Sequence, residues 1–115
     1  MENIVEKKSF DFAVKIVTIT RRMRADGCEP SLVSQLMRSG TSIGANVSEA
    51  QHAQSKKDFI AKMSIALKEA NETKYWTRLL KEINSLSEDE AKEFLYLIDE
   101  LMRLLIRILK SSKEE

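Results

Sequence analysis

The sequence predicts an all-α protein, an antiparallel up-down-up-down four-helix bundle, and three observations carry that expectation. Apolar residues recur at helical spacing in four segments, and β-type alternation is nowhere sustained. Only 3 glycines and 1 proline stand among 115 residues, too few turn-formers for a many-stranded β fold. The segments are joined by short connections (about 26–30, 54–55 and 85–87), which make successive helices antiparallel neighbours. With 43% hydrophobic and 32% charged residues, the chain can bury a core and stay soluble. One domain spanning residues 1–115 is expected at this length, and no linker, low-complexity tract or internal repeat divides it.

Segment one runs from about Ser9 to Ala25, with Phe12, Ile16, Ile19 and Met23 as its stripe and Ala13 and Val17 widening it. Asp26-Gly27 is a left-handed stop, and Arg21, Arg22 and Arg24 suit the negative end of the helix dipole. Pro30 then fits the first turn of the next helix, where a missing N–H costs nothing. Segment two spans about Ser31 to Ala53. Val33, Leu36, Gly40, Ile43, Val47 and Ala50 alternate in steps of three and four, a heptad seam. Gly40 and Gly44 each cost about 1 kcal/mol relative to Ala in a helix interior. A phosphate-binding loop would need a Gly-Lys-Ser/Thr ending that Gly40 to Gly44 lacks, so close approach of a neighbouring helix is the expected reason for them.

Segment three opens at Ser55, where Ser55-Lys56-Lys57-Asp58 has capping-box spacing with Asp in place of Glu, and continues to about Asn84. Phe59, Met63, Ala66, Ala70, Thr73, Thr77 and Leu80 share one face. Beside it runs a line of Ile65, Glu69, Glu72, Trp76, Leu79 and Ile83, on which Trp76, like Tyr75, is expected to pack. Segment four is capped by the full box Ser87-Glu88-Asp89-Glu90. Its seam is Ala91, Phe94, Ile98, Leu101, Leu105 and Ile108, and Leu95, Leu97, Met102, Leu104 and Leu109 make it apolar over more than one face. That excess favours self-association over burial in one bundle.

Composition excludes several classes of function. A single Cys rules out an intramolecular disulfide framework, and a single His leaves little for metal or acid–base chemistry. Glu49-Ala50-Gln51-His52 has the Glu-x-x-His spacing of di-metal bundles, with Glu69 and Glu72 as further oxygens, but no second His completes such a centre. No metal, no cofactor and no catalytic residues are expected, Cys28 with His52 included. Met1 to Lys8 has no apolar secretory region, and residues 94–109 are broken by Asp99, Glu100, Arg103 and Arg107, so no membrane segment is expected. A cytoplasmic location follows, with Cys28 a reduced thiol.

Two groups of charged residues stand out. Arg38 lies in an otherwise uncharged stretch from Pro30 to Asn46, and its expected partners are Glu69 and Glu72. Arg38, Asn46, Glu49, Glu69 and Glu72 then make either a network that fixes helix register or a functional pocket. The net charge of +1 gives no overall drive toward nucleic acid, yet residues 55–84 hold seven basic and four acidic residues, and residues 85–115 five and eight. Arg21, Arg22 and Arg24 end helix one, while Lys56 and Lys57 open helix three at the opposite pole. In an oligomer the three arginines become a cationic rim for phosphates; otherwise they are solvated charges complementing a helix end.

The block Ser34-Gln35-Leu36-Met37-Arg38-Ser39-Gly40-Thr41-Ser42-Ile43-Gly44-Ala45-Asn46-Val47-Ser48-Glu49-Ala50 resembles the family of proteins encoded in intervening sequences of bacterial 23S ribosomal RNA genes. Ser55 to Lys62, Ile65 to Thr73, Tyr75-Trp76 and Leu79-Leu80 carry the likeness further. The resemblance implies an antiparallel four-helix bundle assembled as a homopentamer, with no established enzymatic activity. A related branch, the accessory proteins of diversity-generating retroelements, binds nucleic acid and a reverse transcriptase through basic surfaces of its pentamer. Those proteins are strongly basic, whereas this chain carries +1. The expected function is a non-enzymatic homo-oligomer that holds structured RNA or other nucleic acid through Arg21, Arg22 and Arg24. The alternative is an adaptor for a protein partner with no nucleic-acid contact.

Overall fold

The computed structural model describes residues 3–114. Among them, four helices make up the regular structure: α1 (Ile4–Ala25), α2 (Pro30–Ala50), α3 (Lys56–Glu82) and α4 (Glu88–Glu114). α1 starts a turn and a half before the expected Ser9. Asn3 caps it, its side chain accepting from the Glu6 N–H at 3.1 Å, and Val5 joins the buried face. At the far end Gly27 has φ +78°, and the Cys28 N–H donates to the Met23 carbonyl while Gly27 donates to that of Arg24. These paired bonds let the chain reverse within a few residues. α2 starts on Pro30 and stops at Ala50, so Gln51 and His52 lie in the turn rather than in the helix.

Ser55 caps α3 by accepting from the Asp58 N–H at 3.0 Å. The Asp58 carboxylate accepts from Gln54 instead of from Ser55, one methylene too short to close the box. Asn84, at φ +66°, ends α3 as Gly27 ends α1, with Ser85 donating to the Leu80 carbonyl at 2.8 Å. At α4 both halves of the box close: Glu90 N–H to Ser87 Oγ at 3.1 Å, and Ser87 N–H to Glu90 Oε1 at 2.9 Å.

Contacts between helices set the directions. Along α1, Lys8, Lys15 and Arg22 meet Glu100, Glu93 and Glu90 of α4, ascending on one helix and descending on the other. Arg38 and Glu49 of α2 meet Glu69 and Lys62 of α3 in the same opposed sense. Lys74 meets Asp99 between α3 and α4. The chain is thus an up-down-up-down bundle of 47 × 24 × 21 Å, about the length of its two longest helices.

All six positions of the α2 seam are buried, and Ile16, Met63, Leu80, Ile98, Leu101 and Leu105 fill the axis with them. Phe12 and Phe94 meet edge-on, centroids 5.8 Å apart, between α1 and α4. Buried hydroxyls of Ser9, Thr20, Ser39, Thr73 and Thr77 donate to carbonyls of their own helices, so the core carries no unmet side-chain polar atom among the described residues. Gly40 and Gly44 face α1: a β-carbon on Gly40 would lie 2.7 Å from Ile16 Cγ1, and one on Gly44 would lie 3.0 Å from the Ser9 carbonyl oxygen. Their neighbour helix is α1.

The apolar width of α4 is largely taken up inside the bundle. Leu97, Met102, Leu104 and Ile108 are half-buried against the core, and Leu109 replaces Ile108 in the buried seam. α4 therefore exposes a single large aliphatic side chain, Ile106, among the described residues rather than a broad apolar face; exposed apolar side chains one turn apart are found on α1, at Phe10 and Val14. No helix among the described residues is long and apolar enough to cross a membrane.

Candidate nucleic-acid interface

Arg21, Arg22 and Arg24 end α1 but do not form one cationic surface, because 100° per residue turns them onto different sides. Arg22 points to α4, where Nη2 donates to both oxygens of Glu90 at 2.8 and 2.7 Å, and its Nη1 donates to Asp26 at 2.9 Å. The Asp26 hydrogen bond and the Glu90 charge raise its pKa above the ordinary arginine value, so Arg22 is a fixed charge already neutralised. Arg24 points to α2 and donates to Ser34 Oγ at 3.1 Å. Arg21 is exposed without a partner among the described residues.

The second group also divides. Arg38 donates to Glu69 at 2.9 Å, contacts Glu72 through its other terminal nitrogen, and donates from Nε to Gln35 at 3.2 Å. Trp76 Nε1 donates to Glu72 at 3.1 Å and extends the cluster. Glu69 is buried, while Arg38 stays about half exposed at its solvent edge. Asn46 and Glu49 lie farther along α2: Asn46 donates to the Ser42 carbonyl at 2.8 Å, and Glu49 pairs with Lys62 at 3.2 Å. Gln35 and Trp76 belong to this network and were not singled out for it, since neither is charged. His52 and Cys28 sit at opposite ends of α2, about 30 Å apart along its axis. Among the described residues no group of three or more His, Cys, Asp or Glu could hold a metal ion.

The α3/α4 side of the bundle gathers the unpaired positive charge. Three acids on the flanks of α4 are matched across to neighbours: Glu93 to Lys15 at 3.0 Å, Glu100 to Lys8 at 3.4 Å, and Asp99 to Lys74 at 3.2 Å. Between those flanks Lys92, Arg103, Arg107 and Lys110 are exposed, with no ion pair among the described residues, as are the acids Glu88 and Asp89 in the first turn of α4 and Glu82 at the end of α3. The spacing of the four cations keeps them on one stripe of α4 about 27 Å long, with Tyr96 in it. On α3, Lys68, Arg78 and Lys81 are likewise exposed and unpaired among the described residues. An open groove of 510 Å³ runs between the two helices, lined by Tyr75, Arg78, Leu79, Lys81, Glu82 and Leu95. Tyr75 was expected to pack, but one residue from Trp76 is 100° round the helix, and its ring faces this groove. The signal for the stripe was present as basic residues at helical pitch. It was hidden by the acidic excess of residues 85–115, whose inner acids are neutralised only across helices.

This arrangement offers fixed positive charge and exposed aromatic rings. Residues 1–107 match the family model described as 23S rRNA-intervening sequence protein. The fold is similar to the crystal structure of a protein of unknown function from the S23 ribosomal protein family of Bacteroides thetaiotaomicron: TM-score 0.90, 44% identity, covering 92% of this chain and 98% of that one. Among curated proteins there is no match. The match takes in all three interhelical turns and both sequence blocks from Ser34 to Leu80, and the chain therefore belongs to the 23S rRNA-intervening sequence protein family.

Proposed function

We propose that this protein is a non-enzymatic, homo-oligomeric module that holds the phosphate backbone of structured RNA on its α3/α4 side. The observation that supports this is the stripe of Lys92, Arg103, Arg107 and Lys110, kept free of ion pairs while Glu93, Asp99 and Glu100 beside it are matched to other helices. Like charges held together on a surface weaken a fold slightly and attract a polyanion. Arg21 can add to that contact from the α1 end, whereas Arg22 and Arg24 are already engaged. Copies pack through α1, where Phe10 and Val14 stand exposed one turn apart, Phe10 beside Gly44 of α2. Five copies is the number that the family resemblance implies.

Fluorescence anisotropy of a labelled, structured ribosomal RNA fragment tests the reading. Arg103→Glu/Arg107→Glu/Lys110→Glu is expected to abolish binding, and Arg21→Glu/Arg22→Glu/Arg24→Glu to weaken it only slightly. No binding at low salt by the folded wild type would leave an adaptor for a protein partner in its place. Light scattering after size exclusion is expected to give several times 13.2 kDa, and Phe10→Glu to lower it.

A further inference from the structure

Both tyrosines of the chain stand in solvent on the cationic side, Tyr75 58% exposed and Tyr96 66%. The Lys74–Asp99 pair brings them to nearly the same height on adjoining helices, Tyr75 next to Lys74 and Tyr96 three residues before Asp99. Neither hydroxyl has a hydrogen-bond partner among the described residues. The ring of Tyr75 touches Trp76 edge-on at 5.0 Å, which leaves its faces free, and the Tyr96 ring has no aromatic neighbour among the described residues. Neither ring fills the core, and a lysine would solvate those positions better. The groove at Tyr75 has leucine side chains at its floor and Arg78, Lys81 and the carboxylate of Glu82 at its wall, so its lining carries one net positive charge, and its 510 Å³ lies within the ~300–1,000 Å³ of small-molecule sites.

We infer that this groove takes an unpaired nucleobase of RNA, stacked against Tyr75, with the adjoining phosphates on Arg78 and Lys81 and the next base on Tyr96, which stands outside the groove on α4. The inference rests on the RNA reading above and deepens it, because it names single-stranded or looped-out RNA as the ligand. A duplex keeps its bases stacked on one another and offers phosphates and 2′-hydroxyls, for which cations alone suffice. Exposed rings among cations are the features that recognise an unstacked strand. An acidic amphipathic helix would match the charge, but it needs a row of apolar pockets over two turns, and the floor here is Leu79 and Leu95.

The test compares a labelled unstructured RNA strand with a fully paired, blunt-ended RNA duplex of equal phosphate number, both titrated with the whole chain. Tyr96→Ala, at an exposed helix position where Ala is well tolerated, is expected to weaken strand binding roughly tenfold and leave duplex binding unchanged. Tyr96→Phe keeps the ring and is expected to bind as the wild type does; Tyr75→Ala is expected to resemble Tyr96→Ala. Equal affinity for strand and duplex, with both alanine variants unchanged and Arg103→Glu/Arg107→Glu/Lys110→Glu inactive, would overturn base stacking and leave backbone binding standing. Failure of every RNA to bind at low salt, or binding of an acidic helical peptide alone, would overturn both readings.

Discussion

A β-carbon on Gly44 would press on the backbone of α1 at Ser9, and one on Gly40 on the buried side chain of Ile16. Alanine would add about 1 kcal/mol of helix preference at each site, yet overpacking costs ~1–3 kcal/mol where the neighbour cannot yield. Gly44→Ala is expected to lower stability by about 1–2 kcal/mol in urea melts, and Gly40→Ala by a similar amount. Ile16→Val removes one of the clashing carbons and is expected to restore part of the Gly40→Ala loss but none of the Gly44→Ala loss, whose obstacle is main chain. A more stable Gly44→Ala would mean that the two helices can separate freely. The Arg38 cluster is tested in the same way. Arg38→Met leaves buried Glu69 without its cation, and half-exposure of Arg38 puts the cost near ~1–2 kcal/mol, below that of a fully buried pair. A double-mutant cycle with Glu69→Gln is expected to show coupling of about 1 kcal/mol, and one with Glu49→Gln none, because Glu49 belongs to Lys62.

Each helix boundary is set by a few side chains, and these decide how far the elements could be foreseen. Ser87→Ala removes a cap whose two hydrogen bonds both form, so about 1 kcal/mol of stability and faster amide exchange in the first turn of α4 are expected. Unchanged exchange there would show that the Glu90–Arg22 pair alone holds the turn. That box, the Gly27 reversal and the α2 seam were legible because they depend on local chemistry and on a regular period. The first turn of α1 was not, because buried Ser9 interrupts the apolar stripe between Val5 and Phe12. Serine stands there beneath Gly44, a reason that exists only once the helices are packed. Thr20 is buried in the same way while Ile19 is half-buried, its hydroxyl satisfied by the Ile16 carbonyl. The cationic side of the bundle was illegible for a related reason: summing charge along the chain gives α4 an acidic excess, and only the pairing of Glu93, Asp99 and Glu100 with α1 and α3 exposes the opposite sign.

A molecule of net charge +1 exerts little long-range pull, so affinity for a polyanion has to come from where its charges lie. If the four unpaired cations of the α4 stripe each meet one phosphate, the slope of log affinity against log salt for single-stranded RNA is about −3, at roughly −0.7 per contact. Between 50 and 200 mM salt that is a ~50-fold loss of affinity. Arg107→Gln is expected to make the slope shallower by about 0.7, one contact's worth. Arg22→Gln is expected to leave it unchanged, because Asp26 and Glu90 already neutralise that guanidinium. The two variants remove the same charge from an exposed helix position, so a difference between them reports location and not net charge. A slope near zero would place the affinity outside electrostatics and contradict the stripe as the contact. A slope several-fold steeper, shared by the wild type and Arg22→Gln, would mean that one strand crosses the stripes of more than one copy, and it should fall back to about −3 when Phe10→Glu separates the subunits.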